Sequence, residues 1–418
     1  MWSIPALLFL FAFFHRAAPG VFARELMQAF GATGAIIGLL SATYFYAYAG
    51  LMIPAGVLLD RLGVRWVVTA GGLVMGAGTF LMALASGSAL LFAGRFLVGA
   101  GASVMFVGAL KIAAAWFPAP YFATLSAATA AIGVLGGLVG TAPMAWLAAR
   151  LGWRGALAAV GVVTLAGAVC CLALVRDQPP DHRDATVPVP GWPTVLAGLG
   201  RVLGNPHTWP PFLAFFFLYS ATNNLLFWVV PYLRDVYGLG MTDAALYATA
   251  TSVALLVAGP LTGFVSDRVL RRRRLPYTVL TAVQFVAWLG FVLTLGRLPL
   301  GGLYVLLLAM GLVGGAFVLT WPLGREVNPP ELSGIAVAVV NLGGFVGAAL
   351  TQEPLGALLD ARWDGEMLGG ARVYPVDAYR ASFAASAALI LASSLVSLAF
   401  RETRGRNVYA DPRRRAAG

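Results

Sequence analysis

Twelve separate stretches of this chain are each apolar over about the twenty residues a helix needs to cross the hydrocarbon of a bilayer. They run near 2–23, 33–58, 66–85, 89–112, 122–147, 154–174, 209–233, 243–264, 276–296, 301–322, 334–358 and 379–400. Composition closes off the soluble alternative. Hydrophobic residues make up 60% of the 418, charged residues 11%, and the mean hydropathy is +0.83. A soluble domain carries about a quarter of its residues as charges. One soluble core cannot hide this much apolar surface, so lipid is the expected solvent. The apolar start, Trp2 to Phe14, has no cationic leader before it and no small-residue cleavage site after it, so it reads as a span and not as a cleavable signal.

The remaining polar sequence sets organisation and orientation. The longest polar stretch, 176–207, carries Pro179, Pro180, Pro188 and Pro190. It divides the chain into an N-terminal six-helix bundle, 1–175, and a C-terminal one, 208–400, followed by a tail, 401–418. All basic residues but Lys111 are arginine. With the termini placed in the cytoplasm, 18 basic residues fall on that side and 8 on the other, the bias expected for cytoplasmic loops. The net charge of +11 is therefore a topology signal spread over loops, and no basic stripe suggests nucleic acid. Cys170 and Cys171 are adjacent in an apolar run and read as packing, with no disulfide or metal pattern.

The halves repeat. Gly56, Asp60 and Arg61 recur as Gly263, Asp267 and Arg268, an offset of 207, and the run Leu135 to Gly140 (LGGLVG) recurs as Leu342 to Gly347 (LGGFVG) at the same offset. Two matches at one spacing, close to half the length, indicate duplication, and hence two bundles related by an axis along the membrane normal.

The segment Gly56-Val-Leu-Leu-Asp60-Arg61-Leu-Gly63-Val-Arg65, placed in the loop between the second and third spans, resembles the signature of the major facilitator superfamily; its second copy lies at Gly263, Asp267 and Arg268. The resemblance implies an all-α fold of twelve helices in two pseudo-symmetric six-helix bundles, alternating access, no cofactor, and a monomer in the bacterial inner membrane. Physically the motif is a latch. An Asp at a helix end can accept from a neighbouring helix N-terminus and pair with Arg, bracing one state, and a basic loop that only sets topology is the plainer reading. As a latch, these residues gate transport rather than touch the solute. Gly94-Arg95-Phe-Leu-Val-Gly99-Ala-Gly101 resembles a second signature of the same family.

Charged groups inside spans are costly, which makes them candidates for function. Arg95 either faces the central cavity or braces a neighbouring helix. Arg16 lies about fourteen residues into the first span, roughly 21 Å along it. Two placements fit: a cavity-facing one, and snorkelling to the outer interface. Facing inward, Arg16 and Arg95 make a positive site for a carboxylate or phosphate, a placement similar to the organic-anion branch of the superfamily. That branch commonly has embedded acids in its N-terminal half, and none is found here. His15 titrates near neutral pH and is one proton-coupling candidate, or a hydrogen-bonded helix-end group. Glu353, in Thr351-Gln352-Glu353-Pro354, is the other, or a solvated interfacial carboxylate, and Pro354 is expected to break its helix.

Tyr44 and Tyr48 share a helix face, and with Asn223, Asn224 and Trp228 they complete the expected cavity lining; Gln284, Trp321 and Asn341 are weaker choices. For each aromatic the alternative is packing. Gly133, Gly136, Gly137, Gly140 and Pro143 partly resemble an antiporter signature, but Thr141-Ala142 stands where Gly would precede Pro143, and close packing explains the glycines equally well. No Gly-Lys-Ser/Thr phosphate loop, HExxH, CxxC or GxSxG pattern suggests an ATP-driven pump or an enzyme. The expected function is secondary transport of a small solute, with a proton-coupled organic anion first, drug or metabolite efflux as the alternative, and a transporter-like solute receptor as the rival from another class.

Overall fold

The structure, a computed structural model, describes residues 1–179 and 192–409. Pro180, Pro188 and Pro190 of the central segment, and Arg413 to Arg415 of the tail, lie outside the described residues. The first half contains α1 (Ser3–Val21), α2 (Ala23–Phe30), α3 (Gly34–Leu62), α4 (Val64–Ala83), α5 (Ser88–Ala102), α6 (Met105–Trp116), α7 (Ala119–Val139) and α8 (Ala142–Leu174). The second contains α9 (Trp192–Leu203), α10 (Trp209–Val236), α11 (Met241–Phe264), α12 (Arg274–Thr294), α13 (Leu300–Val313), α14 (Thr320–Glu326), α15 (Ser333–Asp360) and α16 (Val376–Ser397). A two-residue hairpin, β1 (Met367–Leu368) with β2 (Ala371–Arg372), pairs antiparallel between α15 and α16.

Eleven described helical runs are long and apolar enough to cross a membrane, and one of them, Thr124–Leu174, has 51 residues. At 1.5 Å per residue that run is about 76 Å long, enough for two crossings. It divides at Gly152, where φ 70 and ψ 163 interrupt the helix, and only glycine takes such a backbone freely. Twelve crossings result, as the hydropathy indicates, and the chain is a multi-pass membrane protein.

Three local expectations are revised. α3 runs on to Leu62, so Gly56, Asp60 and Arg61 are helical and the connection to α4 shrinks to Gly63, at φ 82. Gly-Val-Leu-Leu after Pro54 continues a helix well once the proline has been passed. Pro354 does not break its helix, since α15 continues through it to Asp360. Within 176–207, read as connecting polar sequence, α9 forms because Val195, Leu199 and Val202 share one face; Val202 is fully buried with Ala336 and Val339, and Leu199 packs beside them. Gly198 and Gly200 interrupt that short apolar pattern in the sequence.

The chain forms two compact units. The first comprises Met1–Val189, Leu226–Ser252 and Gln352–Tyr379, and the second Pro190–Leu225, Val253–Thr351 and Arg380–Gly418. In the first, α4 packs on α5 and α8, α3 on α5, and α1 on α7. Glycine makes the last contact possible: a Cβ on Gly140 would lie 2.6 Å from the Phe14 carbonyl oxygen, and one on Gly136 would run into the Leu10 backbone. In the second unit the repeated glycines do the same. A Cβ on Gly343 would lie 2.6 Å from the Phe212 oxygen, and one on Gly347 would meet the Phe216 carbonyl. The duplication read from sequence is therefore also a duplication of helix contacts, α7 on α1 and α15 on α10.

A side chain at Gly136 forces α7 away from α1. Gly136→Leu is expected to lower stability by about 1–3 kcal/mol. Gly137→Ala, where a Cβ meets open space, is expected to change it by less than ~0.5 kcal/mol. Thermal unfolding of the two purified variants checks this; equal shifts would show that backbone contact is not what these glycines provide.

Candidate functional site

The charged residues of α1 and α5 come together around one tyrosine. Successive helical residues diverge by about 100°, so His15 and Arg16 leave α1 in different directions. His15 Nε2 is 3.2 Å from the Thr79 hydroxyl of α4, and its carbonyl accepts Arg95 Nη1 at 2.5 Å. Arg16 Nε donates to the Tyr44 hydroxyl at 3.3 Å, and Tyr44 in turn donates to the Ala12 carbonyl at 2.9 Å. The Arg16 guanidinium lies 3.8 Å from the Phe13 ring centre and 5.0 Å from that of Tyr48. Arg95 lies 4.9 Å from the Tyr44 ring centre on α3, and Tyr44 stacks on Tyr48 with ring centres 5.9 Å apart.

Arg16 is 7% exposed, and Arg95 and His15 are 1%. Snorkelling to an interface, one of the two placements open for Arg16, is not what the side chain does. Arg95 also donates Nε to the Leu40 carbonyl at 3.3 Å, so it does brace α1 and α3. Bracing leaves something over, because Nη2 of Arg95 is buried without a hydrogen-bond partner and no carboxylate lies within ion-pair distance of it among the described residues. Ring faces and carbonyls solvate a cation but do not neutralise it. The chemistry that completes such a cluster is an anion with oxygens to accept from guanidinium.

The second unit gathers amides and rings. Asn224, buried, reaches the Thr351 hydroxyl at 3.4 Å, while its Oδ1, the Nδ2 of half-buried Asn223, Gln284 Oε1 and Trp321 Nε1 have no partner. Trp228, fully buried, belongs to the first unit, and its Nε1 is also unpartnered. Glu353 is exposed on α15 with Tyr46 as an electrostatic neighbour.

The two copies of the Gly–Asp–Arg motif are wired differently. In the first, Asp60 pairs with Lys111 of α6. Gly56 sits one turn before Asp60 in α3, and exposed Arg61 follows Asp60. Arg65 donates its N–H to Asp177 at 2.8 Å and its Nε to the Leu172 carbonyl at 2.8 Å. A Cβ on Gly63 would strike the Asp177 carboxylate, so the glycine leaves room for that cap on α4. In the second copy, beyond Gly263, α11 widens into a π-helical turn, Val265–Leu270. Asp267 there accepts from Arg273, while Arg268 points to the exterior. Arg273, 8% exposed, also holds Glu326 (Nη2 to Oε1, 3.1 Å), and Glu326, 2% exposed, accepts from Thr403. Glu326 and Asp267 outweigh burial and raise the Arg273 pKa.

A third network escapes sequence reasoning altogether. Between α2 and the C-terminal end of α10, Arg24 Nη2 lies 2.5 Å from Asp235, and Arg234 grips Glu25 through bonds of 3.0 and 2.8 Å. Asp235 also accepts from the Tyr379 hydroxyl at 2.7 Å and the Tyr374 N–H at 3.2 Å. Asp360 caps α3 through the N–H groups of Gly34 (2.9 Å) and Ala35 (2.8 Å) and accepts from Tyr374 and Arg372. Burial, and then the Asp360 carboxylate, push the Tyr374 phenol well above its ordinary pKa, so it remains a donor. The available signal was the Arg-Glu pair at 24–25 matched by Arg-Asp at 234–235, 210 residues on and close to the repeat of 207.

A family model described as the Major Facilitator Superfamily matches residues 6–352. An uncharacterized transporter of Bacillus subtilis (strain 168), YybO, is 24% identical over 379 residues, covering 84% of this chain and 86% of the relative. The "Probable galactarate/D-glucarate transporter GudP" of the same organism is 23% identical over 398 residues, covering 86% of each. Among solved structures, a bacterial homolog of the human lysosomal transporter Spinster superposes with a TM-score of 0.80 at 18% identity, covering 98% of both chains, a likeness of fold.

Glu326→Ala leaves the Arg273 cation buried with its main partner gone, and is expected to cost about 3–5 kcal/mol. Arg61→Ala, at an exposed motif position, is expected to cost less than about 0.5 kcal/mol. Thermal unfolding of the two variants decides whether the motif's stabilising work lies in Arg273 and Glu326.

Proposed function

Because the chain belongs to the Major Facilitator Superfamily, and is thereby a secondary transporter of small solutes, we propose that it carries a small organic anion, driven by a proton gradient. The protein acts as a monomer in the bacterial inner membrane with both termini in the cytoplasm. Residues 1–175 and 208–400 form the two six-helix bundles, joined by 176–207 and followed by the tail, 401–418. One observation carries the reading: two buried guanidiniums share Tyr44, and Nη2 of Arg95 has no partner. A relative named for galactarate and D-glucarate, both carboxylates, agrees with it.

In this reading Arg16 and Arg95 hold the anion, with Tyr44 and Tyr48 as their aromatic wall. Asn223, Asn224 and Trp228 offer hydrogen bonds to the rest of the solute. His15 and Glu353 are the proton carriers, His15 coupled to the anion site through its own carbonyl on Arg95. Gly56, Asp60, Arg61, Gly63, Arg65, Gly263, Asp267 and Arg268 belong to a cytoplasmic latch. The reciprocal pairs Arg24–Asp235 and Arg234–Glu25 form its periplasmic counterpart. Alternating access proceeds by breaking one set while the other forms.

Ligand-dependent thermal stability tests the cargo. An anion at a hundred times its dissociation constant should stabilise wild type by about 2.7 kcal/mol and leave Arg16→Ala and Arg95→Ala unshifted. If cationic or neutral compounds stabilise all three proteins equally, the arginines are structural and efflux takes the place of the anion reading. The counterpart latch has its own test. Glu25→Arg should shift the balance of states by roughly fivefold, about 1 kcal/mol, and slow uptake into liposomes. The exchange E25R/R234E should restore it; a double variant as slow as the single one would exclude the pair from gating.

A further inference from the structure

We propose that the groove formed by the turn Arg271–Arg274 and the returning tail, at the tail-bearing end of the second unit, binds the phosphate headgroup of an anionic phospholipid, with an acyl chain along Leu275 and Leu398. The proposal goes beyond the transport reading and takes from it only the assignment of this end to the cytoplasmic leaflet.

The groove is fixed by the tail. Glu402 accepts from the backbone N–H groups of Arg273 (2.9 Å), Arg274 (3.1 Å) and Arg404 (3.0 Å). Val408 N–H donates to the Glu326 carbonyl at 2.7 Å, and Asn407 Nδ2 to the Asn328 carbonyl at 2.9 Å. Two clefts result, of about 420 and 670 Å³, which share Arg272, Glu402 and Arg404 as lining. Arg273 turns inward to Glu326 and Asp267. Arg271, Arg272, Arg274, Arg404 and Arg406 stay exposed, and none of them has an ion pair among the described residues. The one carboxylate lining the clefts, Glu402, is occupied by backbone donors.

Two further observations separate this groove from an ordinary basic loop. Arg271 and Arg404, at φ 49 and 52, are the two non-glycine residues with positive φ among the described residues, and both line it. Side chains pay sterically for that conformation, and it persists where the surroundings impose it. Topology needs only charge near a span end; it does not need charges converging on a cleft. The smaller cleft is also amphipathic: Leu275 and Leu398, 44% and 51% exposed, lie beside Arg272 and Arg274. A free phosphate has no use for those leucines, whereas a lipid matches both surfaces. A zwitterionic headgroup would bring an ammonium against five guanidiniums.

The test is lipid retention by the purified full-length protein in native mass spectrometry, with dioleoyl phosphatidylglycerol, dioleoyl phosphatidylcholine and inorganic phosphate as separate additives. Wild type should retain phosphatidylglycerol and neither of the others. R272Q/R404Q should retain it roughly tenfold more weakly, and R272K/R404K, which keeps the charge, should retain most of it. Equal retention of the two lipids by wild type, or equal retention of phosphatidylglycerol by wild type and R272Q/R404Q, would overturn the proposal. Binding of inorganic phosphate in place of the lipid would make it a free-anion site and overturn the lipid assignment. Because the readout is lipid and not cargo, failure of the organic-anion reading at Arg16 and Arg95 leaves this result standing.

Discussion

Water does not press helices together inside a bilayer, because lipid tails are as apolar as leucine; what holds them is contact close enough for dispersion and weak backbone interactions. In this chain that contact is made by glycine against backbone, Gly136 of α7 and Gly140 just beyond it on Leu10 and Phe14 of α1. The positions of the charged groups follow. With the Phe14 backbone turned toward α7, Arg16, about 200° further round, points to the opposite side and meets Tyr44 of α3. His15, between the two directions, meets Thr79 of α4. The charged cluster is thus a consequence of how α1 is held, and a rotated α1 would place the same residues in lipid.

Partnership separates the buried and half-buried ions of this protein into two kinds. Arg273 has Asp267 and Glu326, Arg24 has Asp235, and Arg234 has Glu25. Each pair offsets its own desolvation inside the protein, and each sits near the end of a helix, where water is close. Arg95 is different: it is 1% exposed, it lies within a span, and carbonyls and a ring are its partners. Buried Arg273 has two acids, whereas Arg95 has none within ion-pair distance among the described residues, and that is the charge the proposed anion would meet.

The crossings, the duplication and the intramembrane arginines were legible because each is a local property of the chain: a hydropathy run, an offset, a charge where none is tolerated. The Tyr44–Tyr48 face followed from helical spacing alone. What was not legible depends on partners far apart in sequence. Glu25 with Arg234, and Arg273 with Glu326, are ordinary loop-flanking charges until the fold brings them together. The motif around Asp60 read as loop because its charges end the apolar run, although the helix needs only its backbone bonds to continue to Leu62. The short α9 was hidden because two glycines interrupt an apolar face that becomes meaningful only against Ala336 and Val339.

The two halves of the duplication have diverged in a way that follows from these constraints. Gly136 and Gly140 match Gly343 and Gly347 because the requirement is geometric: no side chain fits between the backbones. The polar groups face no such restriction. One half places His, Arg and Tyr inside, whereas the other places Asn223, Asn224 and Gln284 there and lacks a buried intramembrane arginine among the described residues. A duplicated scaffold that must keep its contacts but not its interior chemistry can give one copy the binding of charge and leave the other neutral hydrogen bonding. Two arginine clusters would have doubled the cost of buried charge.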